Sequence, residues 1–545
     1  MARDPAPGGG AQEVEGSADA DAGADAAGAA SASPADADAI TPGYYNPRPL
    51  SPLPARVFIR PESPAEDGTP RVSARVDVQD TGGASSMSSV ATLLNSAVGA
   101  GVLSLPYAFA CAGLLGGIVL CLVVAGAESF SLYVLSKFAE RYDAHSYGSL
   151  VRKALGRKLS SVLSLVALLY LFGSCIAYLV IIGDTFSSLA AQAFGASTLT
   201  GRHAIILAVG IIAILPMCFA PSLSALEWVS AGAVVGFLYT STAVLWRGSQ
   251  IVLSREDPWA GVLLWQPDLR QALYAVSILV FGFNSSANTI TIFSELDNFP
   301  HRLVVLLPPS PTSYASLPNR FAPRPSTYKL IGMIGIIIVS MCLLAAGYTV
   351  VGAAGYAAFR AAVNSNVLNN FPADDPVIQV ARATIGVMVT GHYPLNFSPA
   401  RLAFCDLMAT VFNVNEVPRW GVVTFTLFFV GTTLGTALVV TNLGSVLHLI
   451  GGTAACFMVF GIPGLLAWNA AVIKATASTA DLSSLAGGES GDGSRPLIPK
   501  KAGLRSEGPL LLAGSKTWAA GLGLIVIALL VFAVTLLTAG GGAGH

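Results

Sequence analysis

The sequence predicts an all-α membrane protein: eleven transmembrane helices in a five-plus-five inverted repeat, the last helix extra, with helices 1 and 6 broken. Three observations carry this. Of the 545 residues, 53% are hydrophobic and 11% charged, against about 25% charged in a soluble domain, and mean hydropathy is +0.64. Eleven stretches are apolar over about the 20 residues that a spanning helix needs. Two of those stretches, the first and the sixth, are interrupted at corresponding places in two sets of five.

A soluble chain this poor in charge would lack the polar side chains to cover its surface, so the excess apolar residues face lipid. This excludes a soluble enzyme, a disordered protein and a nucleic-acid binder. Lys+Arg 30 against Asp+Glu 31 gives net charge −1, with no basic surplus for phosphates. No phosphate-binding loop is present, so ATP drive has no support, and no cofactor is called for. Six of the seven cysteines lie inside apolar runs and Cys405 just past one, which argues against a disulfide framework.

In chain order, residues 1–86 form a different compositional class. The first 40 are mainly Ala, Gly, Ser and Asp, with eight acids facing Arg3. Such a segment cannot offset its own ordering entropy, and a disordered tail is expected. It lacks the basic and apolar regions of a signal peptide, so the tail is expected on the cytoplasmic side. The apolar stretches then run 87–110, 113–136, 159–183, 203–220 and 225–246 (first repeat, 87–246). They continue 270–294, 329–352, 377–398, 419–441 and 443–468 (second repeat, 270–468), and end with 516–538. Gly113 and Asn442 mark the shortest separations. Stretch 8 is the least apolar, with Arg382, His392 and two prolines. Residues 299–328 hold seven prolines and read as an extended linker. Residues 469–515, Gly/Ser-rich around 487–494, read as a mobile loop.

Lys/Arg asymmetry orients the chain. With the N-terminus cytoplasmic, the inner loops carry 17 Lys/Arg and the outer loops 5. The C-terminus then falls on the opposite side.

Within lipid, irregular backbone survives only beside a cavity. Stretch 1 reads Asn95-Ser-Ala-Val-Gly99-Ala-Gly101, with Pro106 five residues on. The glycines supply φ freedom and close backbone approach, and Pro106 removes a donor. Stretch 6 reads Phe281-Gly-Phe283-Asn284-Ser-Ser286-Ala-Asn288-Thr-Ile-Thr291. Six of these eleven residues are polar, more than one helix face can hold. Paired interruptions of this kind mark inverted-repeat transporters with a midplane site. Half-helix N-termini suit a carboxylate and freed carbonyls suit an ammonium or a cation, so a zwitterionic amino acid fits. The sequons at Asn284 and Asn396 are rejected, one lying in the membrane and one at a cytoplasmic end. Among ionisable residues, Asp184 and Glu227 lie near interfaces and suit hydrated structural roles. Glu128 is deeper and is a candidate proton carrier. His392 has a near-neutral reference pKa and can titrate during transport. Tyr178 in stretch 3 is placed to close over a substrate, or simply to pack.

LLNSAVGAGVLSLPYAFACAG in stretch 1 resembles the helix 1 signature of the amino acid/auxin permease family, which includes vacuolar and sodium-coupled neutral amino acid transporters. YLVIIGDTF (178–186), SILVFGFNSSANTITIFSEL (277–296) and VTGHYPLNFSPAR (389–401) extend the resemblance over residues 85–470. It implies the amino acid permease/leucine transporter-like fold, and secondary active transport of amino acids by alternating access, in the vacuolar or plasma membrane. The partners it implies are an amino acid substrate, a coupling ion (H+ or Na+) and the lipid bilayer, with no nucleic acid. Substrate would be held by Asn95, Gly99, Gly101, Phe283, Ser286 and Asn288, with Tyr178. Ion coupling would involve Asn95, Thr390, His392 and Glu128. Relatives often carry Cys-His where this chain has Ser285-Ser286. In sodium-coupled relatives, the asparagine matched by Asn95 and a helix 8 threonine, aligned with Thr390, serve the ion site. Two hydroxyls one residue apart are usual there, and His392 replaces one of them, which favours a proton over sodium. A sensor that binds amino acid without moving it, signalling through the tail, is the alternative. A six-plus-six sugar carrier fits neither the breaks nor the eleven stretches.

Overall fold

A computed structural model of the chain describes residues 86–219, 227–296, 325–411, 417–471 and 515–541. The acidic tail, the proline-rich linker and most of the loop at 469–515 lie outside the described residues. The helices are α1 (Ser86–Ala97), α2 (Leu105–Ala112), α3 (Leu114–Tyr142), α4 (Tyr147–Leu155), α5 (Arg157–Phe194), α6 (Arg202–Ala208), α7 (Leu215–Cys218) and α8 (Glu227–Leu253). They continue as α9 (Leu269–Phe283), α10 (Ser286–Glu295), α11 (Pro325–Phe359), α12 (Pro376–Val411), α13 (Arg419–Val439) and α14 (Leu443–Ile450). The last two are α15 (462–471) and α16 (Ser515–Gly541).

Where its residues are described, each apolar stretch read from the sequence is helical over most of its length. Seven of the described helical runs are long and apolar enough to cross a membrane, and the bent α1–α2 pair makes eight. Their lipid-type surface is plain in the exposed Leu122, Val123, Phe428 and Leu529, side chains that water would not tolerate in such number. The core is formed where α5 packs along α12, α3 along α11, and α9 against α2.

The turns follow local chemistry. Gly113 takes φ +81 between α2 and α3. A Cβ there would come within 2.8 Å of the Leu264–Trp265 backbone, so only glycine fits. That backbone pairs with the start of α3 through Leu114 N–H to Leu263 O at 2.8 Å. Asn442 caps α14 by accepting from Ser445 N–H at 3.3 Å.

Three features were not anticipated. Helix α4 is amphipathic: a Ser146/Ser149 capping box starts it, and Tyr147, Leu150 and Val151 are buried. Its 147/150/151 spacing was visible, but nine residues are too few to stand out beside spanning helices. Stretch 10 is not one α-helix, because π turns at Gly451–Ala455 and Phe457–Gly461 separate α14 from α15. A side chain at Gly451 would overlap the Ser277 carbonyl, and one at Gly452 the Thr535 hydroxyl. The wider turns also leave carbonyls for outside donors: Tyr147 Oη donates to Met458 O at 2.6 Å, and Ser131 Oγ to Val459 O. Finally, α12 continues through Pro394 and Pro399 to Val411, beyond the expected end at 398.

Candidate functional site

The first break follows from where the backbone donors go. Val98 N–H still reaches Leu94 O at 2.9 Å. Beyond it, among the described residues, the N–H groups of Gly99, Ala100 and Gly101 have no backbone partner. The chain re-enters helix through a 3-10 turn at Ala100–Ser104, and Pro106 sits in the first turn of α2, where no donor is needed. The two halves bend by 55°. The glycines do not serve through left-handed φ, contrary to the expectation of φ freedom: neither has a positive φ. Gly101 serves through close approach, while a side chain at Gly99 would make ordinary contact. A Cβ on Gly101 would sit 2.9 Å from Gly282 Cα, and one on Gly99 would sit 3.4 Å from the Tyr178 hydroxyl.

The second break lies at Asn284–Ser285, between α9 and α10. Its polar residues largely repair it. Asn284 Oδ1 accepts from Ser286 N–H at 3.2 Å and Ser286 Oγ at 2.8 Å. Ser285 N–H donates to Glu128 Oε1 at 3.3 Å, and Thr289 Oγ1 to Ser285 O at 3.0 Å. Glu128 is buried, and its Oε2 and the Ser285 Oγ have no partner among the described residues. Asn288 Nδ2 donates to Ser96 Oγ at 2.9 Å, tying α10 to α1.

The structure therefore brings together Gly101 and the Phe281–Gly282 backbone, Asn288 and the end of α1, and Gly99 and Tyr178. Tyr178 Oη accepts from Asn396 Nδ2 at 3.2 Å, and its ring lies 6.1 Å from His392. His392 is buried with Nδ1 unpartnered among the described residues, as is Asn95 Oδ1. Other sequence candidates stand apart. Phe283 is fully buried against Tyr348, ring centroids 4.9 Å apart, so it packs rather than lines. The Thr390 hydroxyl turns back to Gly386 O at 2.7 Å, and among the described residues no hydrogen bond joins it to Asn95. Glu128 reaches the site only through Ser285. The side chain of Glu227 lies outside the described residues.

Sequence reasoning missed Asn396 and Tyr348. Asn396 carried a signal, since a polar residue in an apolar stretch needs a partner. Tyr348 carried none, because a tyrosine in an apolar run reads as packing.

Among the described residues, one end of the site is uncovered. Ser88, Thr92, Asn95 and Gly99 follow one face of α1, and Asn288, Thr291 and Glu295 one face of α10; all are exposed or half-buried. The other end is sealed by the segment after α11. Ser104 Oγ donates to Ser365 O at 2.5 Å. Asp184 accepts from Arg202 Nε at 3.1 Å and from the Asn366 and Asn369 amides at 3.2 Å each. Buried Arg382 donates to Leu368 O and Phe371 O at 2.9 and 3.0 Å. Asp184 and Arg382 are thus structural: they anchor this cover.

Residues 82–307 and 322–480 match the family model described as transmembrane amino acid transporter protein. A sodium-coupled neutral amino acid transporter 7 from Danio rerio is 27% identical over 419 residues, covering 74% of this chain and 82% of its own. Vacuolar amino acid transporter 2 from Saccharomyces cerevisiae is 26% identical over 385 residues, 68% of this chain and 73% of its own. A solved manganese transporter from Eremococcus coleocola covers 84% of this chain and 88% of its own, at 10% identity and TM-score 0.47. The family and the two sequence relatives are, by name, transporters and not enzymes. The chain belongs to the transmembrane amino acid transporter family.

Proposed function

We propose that the protein is a secondary active amino acid transporter with eleven spans in a five-plus-five inverted repeat. It works by alternating access, with the N-terminus cytoplasmic, in the vacuolar or plasma membrane. The observation that carries this is the meeting of the two broken helices at Gly101 and Gly282, beside the N–H groups of the first break that have no backbone partner among the described residues. The free N–H groups of Gly99–Gly101 open the 3-10 turn and suit a substrate carboxylate. Carbonyls ending α9 suit its ammonium. The glycines provide this backbone access, Tyr178 stands over Gly99, Ser286 and Asn288 order the second break and tie it to α1, and Asn95 offers an unpartnered Oδ1 beside them. The open face along α1 and α10, with the opposite end covered, fits a conformation facing the N-terminal side.

The driving ion in this reading is the proton. Glu128 is a buried carboxylate with one oxygen bonded to the second break and the other unpartnered among the described residues. His392 is a second carrier beside Tyr178. The Thr390 hydroxyl donates to its own helix and keeps lone pairs for a cation, but His392 stands where relatives have a second hydroxyl, which leaves a sodium site one oxygen ligand short. Sodium coupling is the second reading, favoured by the unpartnered Asn95 Oδ1 and by the names of the relatives.

The test against a sensor is uptake of a panel of radiolabelled amino acids by proteoliposomes holding the chain without residues 1–85. Saturable, trans-stimulated uptake equal to that of the full chain is expected. Binding without uptake in both chains would establish a receptor instead.

A further inference from the structure

Each helix break releases a carbonyl. In an unbroken helix Ala97 O would accept from Gly101 N–H, and Gly282 O from Ser286 N–H. The first donor has no backbone partner among the described residues, and the second is taken by Asn284 Oδ1. Both released carbonyls face one group, the hydroxyl of Tyr348 on α11. It lies 3.2 Å from Ala97 O and 2.9 Å from Gly282 O. Tyr348 is fully buried. Its ring is fixed by Phe283 at 4.9 Å and Phe237 at 6.3 Å.

We infer that Tyr348 is a positioning residue of the transport site, holding both broken helices in register from a third helix through one shared hydroxyl. A phenol has a single proton. It serves one carbonyl at a time and leaves the other open to an ammonium group. The site therefore offers one carbonyl, at a place set by α11, instead of two loose ones. Helix α11 also leads directly into the cover that closes on Ser104, so the hydroxyl joins the site to the element that seals it. This inference rests on the transport reading above.

Tyr348→Phe keeps the ring and deletes the hydroxyl. Uptake kinetics in proteoliposomes, normalised to folded protein by fluorescence-detected size exclusion, should show KM raised about tenfold, the effect of one lost hydrogen bond in a buried site. Maximal rate per folded transporter should stay within about twofold. Phe428→Leu, the loss of an aromatic ring on the exposed surface of α13, should leave KM unchanged. A Y348F protein with wild-type KM and a maximal rate that falls only with folded yield would overturn the proposal. If Y348F does not fold, 4-aminophenylalanine at position 348 decides. Its two N–H groups can serve both carbonyls, which keeps the register and leaves neither carbonyl open, so a folded protein with KM above the wild-type value is expected, and a wild-type KM overturns it. Absence of uptake by the wild type would instead defeat the transport reading.

Discussion

Gly101→Leu is expected to abolish amino acid uptake while the protein remains in the membrane. The reason is contact, not dihedral freedom. The first added carbon would lie 2.9 Å from Gly282 Cα and 3.5 Å from the Phe281 ring. The nearest obstacle is backbone, which cannot swing aside as a flexible side chain does. Overpacking of this kind costs about 1–3 kcal/mol, and here relief comes only by separating the two breaks. The bond from Asn288 to Ser96 and the reach of Tyr348 to both carbonyls would go with it. Gly101→Ala should give a graded loss. Uptake and membrane content measured together check this, and normal transport by Gly101→Leu would mean that the two backbones need not touch.

Glu128→Gln is expected to uncouple the transporter without emptying its site. The amide retains an oxygen to accept from Ser285 N–H, so the second break stays closed. It has no proton to carry. One pH unit is worth about 1.4 kcal/mol, or about tenfold in accumulation at one proton per substrate. Wild-type proteoliposomes under an imposed proton gradient should approach that ratio, and the variant should fall to about one, with counterflow retained. A sodium gradient alone should drive neither. Uptake that requires sodium and ignores a proton gradient would overturn the assignment and restore Asn95 and Thr390 as a sodium site.

Much of the architecture was legible because lipid enforces it. Apolar length marks helices, and Gly113 and Asn442 mark the turns between them. The breaks were legible because glycine and clustered amides have few other uses inside a bilayer. What each residue does at a break was less so. Gly101 was read for φ freedom and for close backbone approach, but the backbone it approaches, at Gly282, is 181 residues away in sequence and was not named. Phe283 shares the polar motif but faces the core, since one residue is about 100° of helix. Tyr348 and Asn396 were hidden because their partners are backbone and hydroxyl groups on other helices. The π turns of stretch 10 answer to Ser277 and Thr535, which no local pattern encodes.

The central claim is that the amino acid sits where the two breaks meet and is reached from the N-terminal side. Asn288 is exposed on α10 beside Ser96, so Asn288→Cys places a thiol on that route. The decisive measurement is its rate of labelling by a membrane-impermeant thiol reagent applied to each side separately, with and without transported amino acids. The predicted result is labelling from the side that carries the N-terminus, slowed by substrate with half-protection near KM. Labelling only from the opposite side, or a rate that no transported amino acid changes, would contradict the account.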